Sequence, residues 1–288
     1  MNFSIIIPTF QNYKYLSLCI NSILKNSKFN HEIIVHINGA DNDTKNFVSK
    51  NNLKFTESIE NIGLCSGVNL AAKKASTNYI LYAHDDMYFL PGWDYYLSNE
   101  IIKIKHNKFY LSLTQISHIG PVKGSIQHIQ FNCGESIENF DESRLLNGFK
   151  KIDFKDLQGS HWAPHIIHKS LWDKIDGFSE EFNPGFASDP DLNMKLWNEG
   201  VRIFKNVSNS RIYHFGSLTT RKNIKIVRNN GKKTFLLKWG ITIEFFVRYY
   251  LRRGTLYKSP LVGPKKNIFY YLNLLAIKMK LFIIKFFK

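Results

Sequence analysis

Through its first 84 residues the chain alternates short β-rich runs with segments of helical period, and this restricts the folds open to it more than any other feature. FSIIIP (3–8) reads as a strand closed by Pro8, and Leu16, Cys19, Ile20, Ile23 and Leu24 then recur at helical spacing across 15–25. HEIIVHI (31–37) is a second strand, ended by the turn-forming NGADND; a polar helix (44–51) and a short strand (53–56) follow. SGVNLAAKKAS (66–76) predicts a third helix and YILYAH (79–84) a strand buried on both faces. Strands separated by helices pair in parallel, so the first half should be an α/β sheet of the nucleotide-binding type. Such sheets bind ligands beyond the carboxyl ends of their strands, which singles out 8–11, 38–43 and 84–87. Farther on, KFYLSLTQIS (108–117) and SIQHIQFN (125–132) read as strands. KSLWDKI (169–175) and DLNMKLWNEG (191–200) read as helices stopped by Gly177 and Gly200, so the second half should be mixed α+β.

Composition closes off other classes. A chain of 288 residues with 44% hydrophobic content can bury a sizeable core, which excludes wholesale disorder. Cys19, Cys65 and Cys133 are odd in number and far apart. They suit a reducing compartment and offer neither a disulfide framework nor metal-ligand spacing. MNFSIIIPTF lacks a cationic n-region and is expected to be a strand, not a signal peptide. The nearest approach to a membrane span, IFYYLNLLAI (268–277), already contains Asn273 and is followed by Lys278. The expectation is a cytoplasmic protein, peripheral on the cytoplasmic face of the membrane. The net charge of +16 is unevenly placed: residues 1–220 carry 22 Lys+Arg and 22 Asp+Glu, whereas 221–288 carry 17 Lys+Arg and Glu244 alone. This step puts the edge of the main domain, 1–220, near Arg221.

HDD (84–86) sets two adjacent carboxylates at the tip of a buried strand, where their repulsion must be offset. A hard divalent cation such as Mg2+ or Mn2+, shared with phosphate oxygens, does so with one or two protein carboxylates. The competing reading is a turn whose Asp residues cap the helix PGWDYYL. Asp189 and Asp191 precede the helix at 191–200. Capping accounts for Asp191, whereas Asp189, held in a loop, is the better general base for a sugar hydroxyl. His214, in YHFGS (213–217), ends an apolar segment, where a lone histidine is more often structural than a ligand. HWAPHIIH (161–168) superficially suggests zinc through His161, His165 and His168, but Pro164 breaks the helix that would align the first two. Trp162 is more useful as an apolar platform for a sugar face.

IIIPTF, the turn after EIIVHI, ENIGLCSGVNLAA, HDDMYFLPGWD, DGFSEEF, SDPDLNMKLWNEG and YHFGS occur in the order found in family 2 of the inverting glycosyltransferases. The chain resembles that family over residues 1–217. The resemblance implies metal-dependent transfer of a sugar, with inversion, from a nucleotide-diphosphate donor to a glycan or lipid-linked acceptor, as in cell-surface polysaccharide synthesis. It implies an A-type α/β sandwich with a mostly parallel nucleotide-binding sheet, in a nucleotide-binding half (1–107) and an acceptor-binding half (108–220). Pro8, Thr9 and Phe10 would lie against the nucleotide, Asn38 and Gly39 at a second nucleotide loop, and Asn61, Gly63 and Asn69 beside the donor. Asp86 matches the metal-binding last Asp of the family's D-x-D element, with Asp85 in the middle. His214 would complete the ligands of Mn2+ or Mg2+, which reverses the structural reading just given, and Asp189 matches the catalytic base. Three positions depart from the pattern: Ile37 stands where an Asp commonly contacts the nucleotide base, His84 replaces the first Asp of D-x-D, and Ser188 replaces the acidic residue before the base. They motivate a non-enzymatic alternative, a degenerate transferase-like domain that binds nucleotide or glycan without turnover. A sugar-nucleotide pyrophosphorylase would want a Gly- and Lys-rich phosphate loop after the first strand, and PTFQNYKYL is not one.

Residues 221–288 form a basic, amphipathic C-terminal extension in which aromatic and aliphatic pairs interleave with the cations. If 268–288 is helical, Lys278, Lys285 and Lys288 share one arc and Lys280 lies opposite. Attachment to an anionic membrane surface is the favoured reading, since each surface Lys or Arg contributes on the order of 1 kcal/mol there. Packing of the apolar face on the domain or on a second subunit is the alternative. Nucleic acid is not an expected partner, because no recognition motif accompanies the charge.

Overall fold

A computed structural model describes residues 1–121, 128–216 and 229–286. The alternation read from the sequence is realised as Ser4–Thr9 (β1), Tyr13–Asn26 (α1), Glu32–Asn38 (β2), Asn42–Lys50 (α2), Lys54–Ser58 (β3), Leu64–Ala72 (α3) and Tyr79–Tyr82 (β4). The helical stripe of α1 buries Leu16, Cys19, Ile20 and Ile23 against the sheet, while Leu24 points to solvent. The chain continues through Met87–Phe89 (β5), Trp93–Ile104 (α4), Phe109–Ser117 (β6), Ile129–Gln130 (β7), Glu142–Gly148 (α5), Leu157–Gln158 (β8), His165–His168 (β9), Lys169–Lys174 (α6), Ser188–Asn198 (α7) and Ile203–His214 (β10). Of the strand expected at 125–132, residues 125–127 lie outside the described residues and only Ile129–Gln130 pairs.

These strands form one ten-stranded sheet in the order β3-β2-β1-β4-β9-β6-β10-β5, with β7 beside β6 and β8 beside β10. β3, β2, β1 and β4 pair in parallel, as do β6 with β10 and with β7. β9 runs antiparallel to both β4 and β6 and so joins the two parallel blocks. β5 and β8 run antiparallel to β10. The expected mixed α/β sandwich with a mostly parallel sheet is thus present. β5 and β9 were not anticipated: MYF is only three residues long, and HIIH sits inside the segment that resembled a zinc motif.

Past the compositional step, whose expected edge at 220/221 lies outside the described residues, the basic segment returns to the domain. Helix Gly231–Trp239, the short helix Ile243–Phe245 and a π-helical turn Phe246–Tyr250 contribute Phe235, Leu236, Phe245, Phe246 and Val247 to the same hydrophobic core as β1 and β4. For this stretch the packing alternative holds. A buried carboxylate fastens it: Asp191, in the first turn of α7, accepts from Trp239 Nε1 at 2.8 Å and Ser179 Oγ at 2.6 Å, with Lys238 Nζ at 2.9 Å. Asp191 therefore does not cap the helix. The N-cap position is Ala187, and the helix begins three residues earlier than its apolar spacing indicated.

Terminal helix Ile268–Phe286 touches the domain along one stripe only, with Tyr270 and Ile277 buried and Leu274, Leu281 and Ile284 half-buried. Its other side exposes Phe269, Leu272, Leu275, Met279, Phe282 and Phe286, the last two at 61% and 72%. Lys288 lies outside the described residues.

Replacing Asp191 by Ala strips three partners of a buried acceptor. Lys238 keeps Glu181, at 2.8 Å, so the expected loss is about 2–4 kcal/mol, at or below that of a broken buried ion pair. Urea unfolding should record it, together with faster proteolysis within Gly231–Trp239.

Candidate active site

The carboxyl ends of β1, β2 and β4 lie side by side, so the three segments singled out by the strand-end rule share one edge. Thr9, at the tip of β1, donates from Oγ1 to Asp85 Oδ2 at 2.6 Å, fastening the first strand end to the HDD turn. Pro8 and Phe10 flank it, half-buried. Gly39 closes β2 with φ +104°, a backbone conformation that favours glycine, and a Cβ there would press on the Phe10 ring. Asn38 Nδ2 donates to Asn61 Oδ1 at 3.0 Å; the same oxygen accepts from the Gly63 amide at 2.9 Å, and Asn38 Oδ1 accepts from the Ile62 amide at 2.8 Å. Gly63 (φ +86°) starts α3, where any side chain would collide with Asn183. The Asn69 carboxamide is taken up by the Phe178 backbone, donating at 2.8 Å and accepting at 2.9 Å. These asparagines shape the loops around the cleft. Ile37 is buried in the core.

Asp85 and Asp86 do not cap the following helix, whose N-cap position is Gly92. Both are buried. Burial first, and the neighbouring Asp86 charge second, raise the Asp85 carboxyl above the usual range. The antiparallel register of β5 on β10, with His214 opposite Met87, sets His214 beside Asp86. The Phe215 amide closes the join by donating to the Asp86 carbonyl at 3.2 Å. His214 Nε2 lies 3.2 Å from Asp86 Oδ1 without the alignment of a hydrogen bond, and its Nδ1 faces Gln115 Oε1 at 3.3 Å. His84 faces the same spot, its ring 5.7 Å from that of His214. Ligand atoms of His84, Asp86 and His214 all lie within 4.8 Å of one another. Two metal bonds of about 2.1 Å span at most about 4.2 Å, so shifts of a few tenths of an ångström would close this set around a divalent cation. Burial pushes the His84 imidazole down to about 4, against the pull of Asp86, so at neutral pH it carries a free lone pair. The residues fit a divalent cation, and His84, a departure from the family pattern, is a candidate ligand that the sequence reading did not assign.

Asp189 lies in the first turn of α7, not in a loop as expected. Ser188, just before it, spends its hydroxyl on the Gly185 carbonyl at 2.7 Å. Asp189 Oδ1 is buried without a hydrogen-bond partner, and burial pushes the carboxyl up to about 7. Together with Trp162, His161, Phe186, Asn230 and Lys232 it lines a cleft of about 580 Å3. The Trp162 indole N–H also lacks a partner, and so adds a donor to the apolar platform expected there. Burial, and then the charge of Asp189, raise the Tyr82 phenol beneath the strand tips.

The other histidines of the HWAPHIIH segment serve the scaffold. His161 Nδ1 faces the Gly159 carbonyl at 3.1 Å, His165 is buried between Tyr82 and Tyr110, and His168 caps α6. Among the described residues they form no metal cluster.

The sequence profile of glycosyl transferase family 2 matches residues 4–162, more than half of the chain. This chain belongs to glycosyl transferase family 2. Solved structures of S. aureus TarS share the fold at about a fifth sequence identity: the fragment 1–349 (20% identity, TM-score 0.54, covering 74% of this chain and 60% of that one), and the longer protein (20%, 0.56, 75% and 37%). A complex of the fragment with UDP-GlcNAc matches similarly (20%, 0.54, 75% and 61%). The chain therefore spans about 60% of the TarS fragment. No curated protein matches it in sequence. The profile match ends at Trp162, before Asp189 and His214.

An acid whose folded pKa is raised supports the fold fully below its unfolded value, and that support disappears as pH rises through the folded value. For Asp189 the window runs from 3.8 to about 7. Asp189→Asn should match wild type in melting temperature near the bottom of this window and exceed it above the top. The expected margin is on the order of 1–3 kcal/mol, allowing for some screening of a half-buried residue. Equal melting temperatures above the window would mean that the charge is paired or solvated.

Proposed function

We propose that this family 2 domain is an inverting glycosyltransferase that takes its sugar from a nucleotide-diphosphate donor, with Asp189 as base and a divalent cation held by Asp86 and His214. The observation that carries the reading is that one edge of the sheet holds a His/Asp/His cluster while a cleft of the same domain is lined by Asp189, an acid that burial pushes up to about 7. Pro8, Thr9, Phe10, Asn38, Gly39, Asn61, Gly63, Asn69 and Asp85 form the donor side, some by contact and some by holding the loops. The TarS fragment with the same fold binds UDP-GlcNAc, so UDP-linked sugars are the donors to test first.

Asp189 removes the proton of the acceptor hydroxyl, whose oxygen then attacks the anomeric carbon from the face opposite the leaving group. The new glycosidic bond forms as the bond to the diphosphate oxygen breaks, and that oxygen keeps the electron pair. Bound Mn2+ or Mg2+ would supply neutralisation of the charge developing on the diphosphate. Trp162 offers a face and an N–H to the acceptor, a glycan or lipid-linked saccharide. The carboxylate form of Asp189 is required, so transfer should fall as pH drops below about 7. Asp189→Asn should abolish transfer with nucleotide affinity nearly unchanged, whereas Asp86→Ala should weaken both; single-turnover assays and UDP titrations separate the two. Turnover by Asp189→Asn at the wild-type rate would remove the base assignment.

The reading extends to an anionic membrane surface as the place of action. At about 100° per residue, the exposed apolar residues of Ile268–Phe286 cover roughly 160° of the helix surface, and Lys278 and Lys280 border that arc on either side. No described helix is long and apolar enough to cross a membrane, and the whole net charge lies on 221–288. The full chain should co-sediment with phosphatidylglycerol vesicles, less so at high salt, and Leu275→Glu/Phe282→Glu should leave it in the supernatant. A wild-type chain that stays in the supernatant, or a dimer dissociated by the double variant, would assign this face elsewhere.

A further inference from the structure

Four cations of the C-terminal extension converge on one cavity. Arg248 on the π-helical turn, Arg252 and Arg253 just after it, and Lys265 line a space of about 700 Å3, within the size range of ligand sites. Glu244 is the acid among the lining residues, and its carboxylate is engaged by Lys232 Nζ at 2.9 Å. Among the described residues none of the four cations is in an ion pair. Ile243 lines both this cavity and the cleft of Asp189 and Trp162, and the Lys232–Glu244 pair puts one residue in each. We propose that this cavity binds phosphate oxyanions carried by the acceptor, so that the transferase acts on a saccharide bearing a diphosphate or phosphodiester. The inference rests on the transferase reading and deepens it by naming an acceptor class.

Like charges gathered around one space repel, and a cavity walled by one sign of charge concentrates counter-ions. A polyanion offsets that repulsion. Phosphate oxygens accept from several guanidinium forks at once, whereas a single carboxylate satisfies one. The backbone beneath the cations is fixed. The Arg253 amide donates to the Val247 carbonyl at 3.1 Å and the Lys265 amide to the Tyr249 carbonyl at 2.8 Å, so both return to the π-helical turn. Gln158 of β8 holds the following residues, donating to the Thr255 carbonyl at 2.7 Å and accepting from the Gly254 amide at 3.2 Å. Gly159 packs against this turn, where a Cβ would collide with the Leu251 carbonyl and the Arg253 backbone. Arg252 takes the left-handed conformation (φ +54°) at the end of the turn, where glycine is usual. Its Nη2 donates to the Gly263 carbonyl at 3.1 Å, and its Nε is buried without a hydrogen-bond partner. In the proposed function the donor diphosphate is neutralised by the cation at the strand tips, which leaves these four charges to the acceptor. All four lie beyond the matched family profile, which ends at Trp162.

The test is calorimetric titration of inorganic pyrophosphate into the full chain in EDTA, with UDP and Mn2+ titrated in parallel. Wild type should bind pyrophosphate. Arg253→Gln/Lys265→Gln, at two exposed positions, should bind it at least about tenfold more weakly while UDP affinity and melting temperature stay near wild type. Lys150→Gln/Lys151→Gln, which removes the same charge from another exposed site, should keep the wild-type pyrophosphate affinity. Phosphatidylglycerol vesicles should leave radiolabelled pyrophosphate bound to the wild-type chain. No binding by wild type, unchanged affinity in the folded Arg253/Lys265 variant, or equal weakening in both double variants overturns the cavity assignment and leaves the transferase reading standing. Displacement of pyrophosphate by the vesicles would make the cavity a lipid-headgroup site and overturn its role in acceptor recognition. A wild-type chain that binds pyrophosphate but not UDP with Mn2+ overturns the transferase reading, and the acceptor role with it.

Discussion

The cleft depends on how β10 is bonded into the sheet. This twelve-residue strand runs parallel to β6 along one edge, while β5 and β8 pair antiparallel with its other parts. Its register on β6 shifts between Val207 and Arg211, and the irregular turn is locked from within. The buried Arg211 guanidinium donates to the carbonyls of Ser208, Phe149 and Ile152, and Thr114 Oγ1 donates to Val207 O. A buried cation with no ion pair among the described residues persists because backbone carbonyls take its donors. Beyond the bulge the strand carries Tyr213 and His214 to the HDD turn, and with them the imidazole that faces Asp86.

Much of the polar chemistry near the strand ends is spent on shape. Asn38 and Asn61 satisfy each other and two amides, Asn69 holds the loop that contains Phe178, and Asn183 binds the first turn of α3. Buried amides left without partners would cost about 1–3 kcal/mol each, so these networks keep the loops in one arrangement. Against that background, Asp189 Oδ1 and Trp162 Nε1, both on residues that line the cleft, are buried polar atoms without a hydrogen-bond partner. The C-terminal segment belongs to the same economy: Asn230 and Lys232 line the cleft, while Asp191 ties helix Gly231–Trp239 to the helix that carries Asp189.

Much of this was legible in one dimension. Short β-rich runs ending at Pro8, Ile37 and His84 indicated the parallel block and the edge where a ligand would bind, because a buried strand leaves a local pattern of apolar residues. The resemblance to family 2 was legible too, and the profile match confirms it. Asp189 was misplaced by one turn of helix because SDP reads as loop chemistry, whereas the helix begins at Ser188. His84 looked like a loss, since a replaced acid shows in sequence as a missing ligand. His165 offered a metal reading that its aromatic neighbours dissolve.

Local patterning settled the class of fold, the strand-tip edge and the absence of a conventional apolar span, since each follows from residues close together along the chain. Distant pairing settled the rest. His214 meets Asp86 through the β5–β10 register, Asp191 becomes an anchor once Trp239 and Lys238 fold back onto it, and the basic segment divides into a packed part and a terminal helix with one bare face. These outcomes depend on which surfaces find each other when the core closes, and a side chain's neighbours across the sheet leave no mark on the residues beside it in sequence.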